Sequence, residues 1–370
     1  MKIVILVSHF LPKWMGGVQI ATCNIAQHLA ARGHDVHIIT SLDRGEPEES
    51  AENGVHIHRV PSSNLRFIGF AIFSIKATTI LNAIDPQIIH AQTIPMGVCG
   101  FLAKIVSKTH YIVWGQGSDV YRPYPFKSLI TTMVLRNADA VIALSDHMKK
   151  EMQRFSLRDI SIIPNGIDLD RFEGAARDQA RFKLKIKEAD KVVLHVSTLA
   201  SVKGVMYLIE AIAQLIQTEP KARLIVVGDG PERAKLELLV SDLGLSEFVT
   251  FAGRIQNNDV PIYMAASNVF VLPSLSEGIP IVILEAMAAG LPIVATNVGG
   301  ISSLVEEGKN GFLIDPQNAE QIASKISLIL ADPALSGRMV RNNKGKAQQY
   351  TWASVVDRLE ELYLDCAKAA

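Results

Sequence analysis

The residues best placed to do chemistry are two glutamates, Glu277 and Glu285, in the segment PSLSEGIPIVILEAMAAG at 273–290. Gly278 gives the backbone freedom just ahead of a helix that Pro280 is suited to start. A helix N-terminus after such a loop offers free N–H groups and the positive end of a dipole to an anion such as a diphosphate. Glu277 falls in the loop, and Glu285 falls about five residues into the helix, roughly 7–8 Å along it. One acid then reaches a group beside the phosphates. The other reaches a group farther along, and a carboxylate accepts well from a pair of hydroxyls. A sugar on one side and a ribose on the other suit that separation. Two solvated surface acids are the plainer alternative, but it fits Glu285 badly. IVILEAMAAG surrounds that residue with apolar and small neighbours, where an unpaired carboxylate is costly.

Positioning such a site requires a rigid scaffold, and the chain shows one. Short Val/Ile-rich runs at 3–8, 35–40, 55–60, 87–91, 110–114, 139–144 and 160–163 alternate with helical patterns. This rhythm implies a parallel sheet covered on both faces. It breaks at 164–190, where Pro164-Asn165-Gly166 marks a turn before a charged, apolar-poor stretch, and then restarts. The expected architecture is two doubly wound, Rossmann-like α/β domains, 1–165 and 166–350, facing across a cleft. The segment 351–370 is a terminal helix free to pack on either domain. Ligands sit beyond the carboxyl ends of the strands in open sheets of this kind. The break at 164–190 is expected to act as a hinge, because a ligand spanning two domains needs closure and exclusion of water.

Composition narrows the class. The chain has 370 residues, 48% apolar and 20% charged, a globular balance. Its formal net charge is zero, which argues against a nucleic-acid partner. The first 168 residues carry 16 basic against 13 acidic side chains, and the rest 21 against 24, a mild asymmetry. Cys23, Cys99 and Cys366 are scattered without metal spacing and read as free thiols in a reducing, cytoplasmic compartment. No signal peptide is recognised at the start. Segments 65–84, with Arg66 and Lys76, and 122–136 mix apolar and basic residues, a pattern that suits peripheral contact with an anionic membrane. Burial in the first domain is the alternative preferred for most of these side chains.

The segment 273–290 resembles the E-x7-E signature of the family 4 glycosyltransferases, retaining enzymes of GT-B architecture. Other stretches match in order: Gly16-Gly17 leading into the first helix, Pro164-Asn165-Gly166-Ile167-Asp168 at the junction, Lys203-Gly204, RLIVVGDG at 223–230, FAGR at 251–254 and ATNVGGISSLVEEGKNGFLIDP at 295–316. The resemblance covers the whole chain. It implies transfer of a sugar from a UDP- or GDP-linked donor to a glycan or lipid-linked acceptor, without a metal or other cofactor. By the same resemblance, Glu277 holds the transferred sugar and Glu285 the ribose. Lys203 neutralises the diphosphate as it leaves, a role that grows as the bond breaks. Gly16 and Gly17 let backbone N–H groups approach the phosphates. Gly278, Ile279 and Pro280 form the phosphate-side loop, and backbone near Arg254 and Ile255 reads the base.

Two positions depart from the family pattern. Thr198 stands where the family usually has an arginine five residues before the lysine, and it offers a hydrogen bond but no charge. Gln116 in VWGQGSDVY stands where a histidine beside the sugar is common, and an amide cannot take up a proton. Retaining transfer does not obviously require that histidine. His90 and Gln92, ending a strand, are candidates to line the acceptor site, although a lone histidine is more often structural and His90 is not read as a catalyst. Asp168 and Asp170 read as solvated linker acids rather than metal ligands.

Other functions fit less well. A nicotinamide-dependent dehydrogenase would use VVGDGPERA at 226–234, but the third glycine is missing and the next strand ends FAGR without an acid. A phosphorylase or a nucleotide-sugar epimerase keeps the fold and changes the reaction. A non-catalytic binding protein would explain Thr198 and Gln116, although Glu277, Glu285 and Lys203 argue against it.

Overall fold

The computed structural model describes residues 1–12, 16–61, 66–121, 126–174 and 176–368. Leu65 and residues 122–125, part of the two candidate membrane segments, lie outside the described residues. The chain divides into two compact units, residues 1–166 with 352–370, and residues 167–351. The terminal helix Trp352–Lys368 thus belongs to the first unit, and Gly166 packs against the Trp352 ring, leaving no room for a Cβ.

The first unit holds eight strands: β1 (Lys2–Leu6), β2 (Asp35–Ser41), β3 (Glu49–Glu52), β4 (Val55–Val60), β5 (Ile88–Ala91), β6 (His110–Trp114), β7 (Ala140–Ala143) and β8 (Ile160–Ile162). Their spatial order is β3-β4-β2-β1-β5-β6-β7-β8. All pair in parallel except β3, which is antiparallel to β4. β1, β5, β6 and β7 are apolar almost throughout because both faces are covered, so they show no alternation. β3 was not expected from the sequence. It is joined to β4 by Asn53 and Gly54, both at positive φ (50° and 78°), the pair that suits a two-residue hairpin turn.

The second unit holds β9 (Lys191–Val196), β10 (Ala222–Val227), β11 (Val249–Gly253), β12 (Val269–Leu272), β13 (Ile293–Thr296) and β14 (Gly311–Ile314). All are parallel, in the order β11-β10-β9-β12-β13-β14. Counted within the unit this is 3-2-1-4-5-6, the doubly wound order, whose direction reverses between β9 and β12. In the first unit the reversal falls between β1 and β5. One apolar core of the second unit includes Val193, Leu208, Ile212, Leu224, Val271, Phe312 and Ile326. The helix Pro333–Ala347 was likewise not expected, and Asp332 caps it by accepting from the Ala334 and Leu335 amides.

The segment 164–190 is helical in part. It carries a short 3-10 turn, Asp170–Phe172, and the helix Arg177–Lys183.

Candidate active site

In a doubly wound sheet the crevice opens at the carboxyl ends of the two strands flanking the reversal. In the second unit those are the ends of β9 and β12, and their loops carry Lys203 and Glu277. The chain leaves β9 through Ser197 and Thr198 and makes a 3-10 turn, Ser201–Lys203. Gly204 then takes φ +64° with its Cα turned to the Pro273 carbonyl, where a Cβ would come within 2.2 Å. That close approach sets Lys203 against the loop after β12. The loops are laced further by the Leu275 amide donating to the Val202 carbonyl at 2.7 Å.

Here Lys203 Nζ lies 2.6 Å from Glu277 Oε1, and the buried Ser274 hydroxyl donates to the same oxygen at 2.6 Å. The Glu277 side chain is 9% exposed and that of Lys203 24%. A carboxylate so held is fixed in one rotamer. The backbone freedom expected of Gly278 sits instead at Gly299, φ +57°, where a Cβ would lie 1.8 Å from the Glu277 carbonyl. The Gly300 amide donates to the Gly278 carbonyl, completing the clasp. Buried Ile279 and Pro280 lead into the helix Ile281–Ala288. That helix has no side-chain cap and no acid in its first turn, so its N-terminal amides carry no side-chain partner among the described residues.

Glu285 lies on this helix and is 7% exposed. Burial pushes its carboxyl up to about 7, while the nearby Arg171 guanidinium pulls it down. Arg171 NH1 stands 3.5 Å from Glu285 Oε1, and its NH2 donates to the Asn257 carbonyl at 2.6 Å. Asn257 follows Arg254 and Ile255 on the loop after β11. Arg171 lies in the junction segment, and sequence reasoning missed it because a charged residue in a polar stretch looks solvated. Asp168 and Asp170 in the same stretch are indeed exposed. Thr198 is exposed on the loop after β9.

A second residue missed from sequence is His195 in β9, fully buried beneath the Lys203 loop. Its Nδ1 lies 2.9 Å from the Val271 carbonyl and so carries the hydrogen, leaving Nε2 to face the Ser197 hydroxyl at 2.7 Å. Burial, with a lesser effect of Lys203, lowers this imidazole to about 4, so it is neutral near pH 7. The β9–β12 pair is thereby joined by a side chain as well as by the ladder.

In the first unit, Gly16 caps the helix Gly17–Ala31 without a side-chain bond, and the first turn of that helix has no acid. At the ends of β5 and β6, Gln116 Nε2 donates to Gln92 Oε1 at 2.9 Å. The buried Asp119 carboxylate accepts from the amides of Ile94, Gln116 and Gly117 at 2.9–3.0 Å and fixes both loops. Gln92 is fully buried, and its Nε2 has no partner among the described residues. Of the two readings open to His90, the structure shows the structural one. It is fully buried, its Nδ1 lies 2.5 Å from the Tyr363 hydroxyl of the terminal helix, and its ring stacks on Trp114. Its position at a strand end pointed to the crevice, but the terminal helix covers it. Among the described residues, no group of three or more His, Cys, Asp or Glu side chains is placed to hold a metal ion.

Comparisons with known proteins agree with this fold. The profile of the family described as Glycosyl transferases group 1 matches residues 176–346, and that of Glycosyltransferase Family 4 matches residues 15–171. The chain is 27% identical over 368 residues to N-acetyl-alpha-D-glucosaminyl L-malate synthase of Bacillus anthracis, covering 95% of this chain and 94% of that one. Its structure is similar to that of a sucrose-phosphate synthase from Thermosynechococcus elongatus, with a TM-score of 0.90, 26% identity and full coverage of both chains. The Anabaena protein HepE in complex with UDP-glucose shares the fold, with a TM-score of 0.83, 24% identity and coverage of 99% of this chain and 100% of that one.

Proposed function

The chain belongs to the family 4, group 1 glycosyltransferases of GT-B fold, and from that premise we propose that it is a retaining, metal-independent transferase. It takes a hexose-like sugar from a UDP- or GDP-linked donor and delivers it in the cytoplasm to a glycan or lipid-linked acceptor. The observation that carries this reading is the meeting of Lys203 and Glu277 at 2.6 Å where the second sheet reverses. A diphosphate against Lys203 puts its sugar beside Glu277. It also puts the nucleoside toward Glu285 and the backbone near Arg254 and Ile255, with Gly278, Ile279 and Pro280 along the phosphates. HepE was solved with UDP-glucose bound, which supports a nucleotide-sugar donor.

The reaction breaks the bond between the sugar's anomeric carbon and the diphosphate oxygen. Charge builds on that oxygen, and Lys203 and the uncapped helix end meet it. The acceptor hydroxyl bonds to the anomeric carbon on the face the phosphate leaves, and its proton passes to the departing phosphate. No side-chain base is needed, which fits Gln116 in place of a histidine. Gln116, braced by Gln92, offers a hydrogen bond to a sugar hydroxyl. Gly16 and Gly17 supply amides to the phosphates, and Thr198 a single hydroxyl.

Contact with an anionic membrane belongs to the same reading. Between residues 61 and 137 the sequence has seven Lys or Arg and two acids, Asp85 and Asp119, the latter buried. On helices of this stretch Ile68, Ile75, Ile105, Val106 and Leu129 are each more than half exposed. No helix among the described residues is long and apolar enough to cross a membrane. Flotation with phosphatidylglycerol vesicles at low salt is the check, and absence of binding there would remove the membrane from the proposal.

Calorimetric titration with UDP, GDP and ADP without metal tests the main reading. Binding of one nucleotide, weakened by Lys203→Ala, is expected. Indifference to all three would refute it.

A further inference from the structure

Resting on the donor site proposed above, we infer that Arg171 is a positioning residue for the donor's nucleoside, holding the ribose acid Glu285 and the base-side loop in one arrangement. Its guanidinium spans the two. NH1 faces Glu285 Oε1 at 3.5 Å, and NH2 donates to the Asn257 carbonyl at 2.6 Å. Arg171 also packs over Phe172, its neighbour, at 5.4 Å from the ring centroid. The planar fork of an arginine reaches two acceptors at fixed spacing, which the point charge of a lysine does not. Asn257 lies three residues beyond Arg254, so the same side chain fixes the turn of the backbone that would read the base.

The chemistry of the acid gives Arg171 a second effect. A ribose presents two hydroxyl donors, and an ionised carboxylate accepts from both, whereas a protonated one is part donor. Glu285 is buried in an apolar helix face, and burial favours its neutral form. Arg171 is the charged group set against it, and it favours the ionised form. Removing Arg171 therefore both loosens the 254–257 loop and raises further the pH at which Glu285 gives up its proton.

The test compares wild type, Arg171→Gln and Arg171→Lys, measuring nucleotide diphosphate affinity from pH 6 to 9. The phosphate's own titration is common to all three and cancels. Arg171→Gln is expected to bind about tenfold or more weakly at pH 7 and to recover at higher pH, as expected for loss of a contact to a buried charge. Arg171→Lys should restore the pH profile without the full affinity, because it regains the charge but not the contact to Asn257. Carbon-13 NMR titration of the Glu285 carboxyl in the ligand-free chain gives a second readout, which should move upward in Arg171→Gln alone. An affinity loss equal at every pH, with the Glu285 titration unmoved, would overturn the inference. A wild type that binds no nucleotide diphosphate would instead fell the functional reading itself, and the role of Arg171 with it.

Discussion

Lys203 and Glu277 hold each other at 2.6 Å across the loops that end β9 and β12, so the cation proposed for the diphosphate is paired with the acid proposed for the sugar. Donor binding must then divide Lys203 between two anions. Glu277→Gln should leave nucleotide diphosphate affinity unchanged or tighter, because it frees the ammonium. It should lower kcat by about 10²–10³, the scale for losing one oriented polar group at a reacting centre. Lys203→Ala should weaken both affinity and turnover. Calorimetry with the bound nucleotide, alongside steady-state transfer rates, separates the two. Loss of nucleotide affinity in Glu277→Gln comparable to that in Lys203→Ala would mean that the acid serves the phosphates and not the sugar.

Gly299 is the backbone support of that acid. A methyl there would lie 1.8 Å from the Glu277 carbonyl, at φ +57°. Gly299→Ala should cost about 1–3 kcal/mol in stability through left-handed strain, and it must push the 277–278 turn away. The variant should therefore lose transfer activity while still folded at low temperature, with a lowered Tm by calorimetry. A variant of normal rate would show that Glu277 tolerates displacement.

Thr198 is exposed on the loop after β9, so a longer side chain meets no packed neighbour at its tip. Thr198→Arg should tighten nucleotide diphosphate binding by about tenfold, the lower end of a charge-assisted hydrogen bond, with little change in Tm. Complete loss of binding would place Thr198 elsewhere than beside the phosphates.

What was legible in the sequence follows from the kind of force that fixed it. β1, β5, β7 and β12 are Val/Ile/Leu/Ala-rich runs, interrupted only by Lys2, His90 and Phe270, because two-sided burial selects for apolar residues, and such runs are visible without coordinates. Glu285 stood out for the same reason, as a charge in an apolar helix. The Asn53-Gly54 hairpin and the Asp332-Pro333 helix start also carry local signals, but Glu49–Glu52 ahead of the first and the residues after the second are largely polar and show no clear periodic pattern. Asn343 shows why: it is fully buried in the helix Pro333–Ala347 and donates to the Leu291 and Asn310 carbonyls, so a core position looks like a surface one. Arg171 and His195 were not legible, since Glu285 lies 114 residues from the first and the Val271 carbonyl 76 residues from the second. Only the folded sheet brings them together.

Glu285 offers a test that needs no substrate. Its folded carboxyl, pushed up to about 7 by burial, sits above the value of about 4.5 that it would have in an unfolded chain. The folded state therefore holds the proton more tightly than the unfolded one. Stability from this group is fully present below the unfolded value and is lost as pH rises through the folded one, so the window is about pH 4.5 to 7. Glu285→Gln removes the titration while keeping the shape. Its stability relative to wild type should thus improve by on the order of 1–3 kcal/mol between pH 5 and pH 8, read from denaturant midpoints at the two pH values. The same variant should bind nucleotide diphosphate poorly at both, because an amide accepts at one atom only. A stability difference that stays flat with pH would mean that Arg171 keeps Glu285 ionised throughout. Poor nucleotide binding would then reflect the lost acceptor alone.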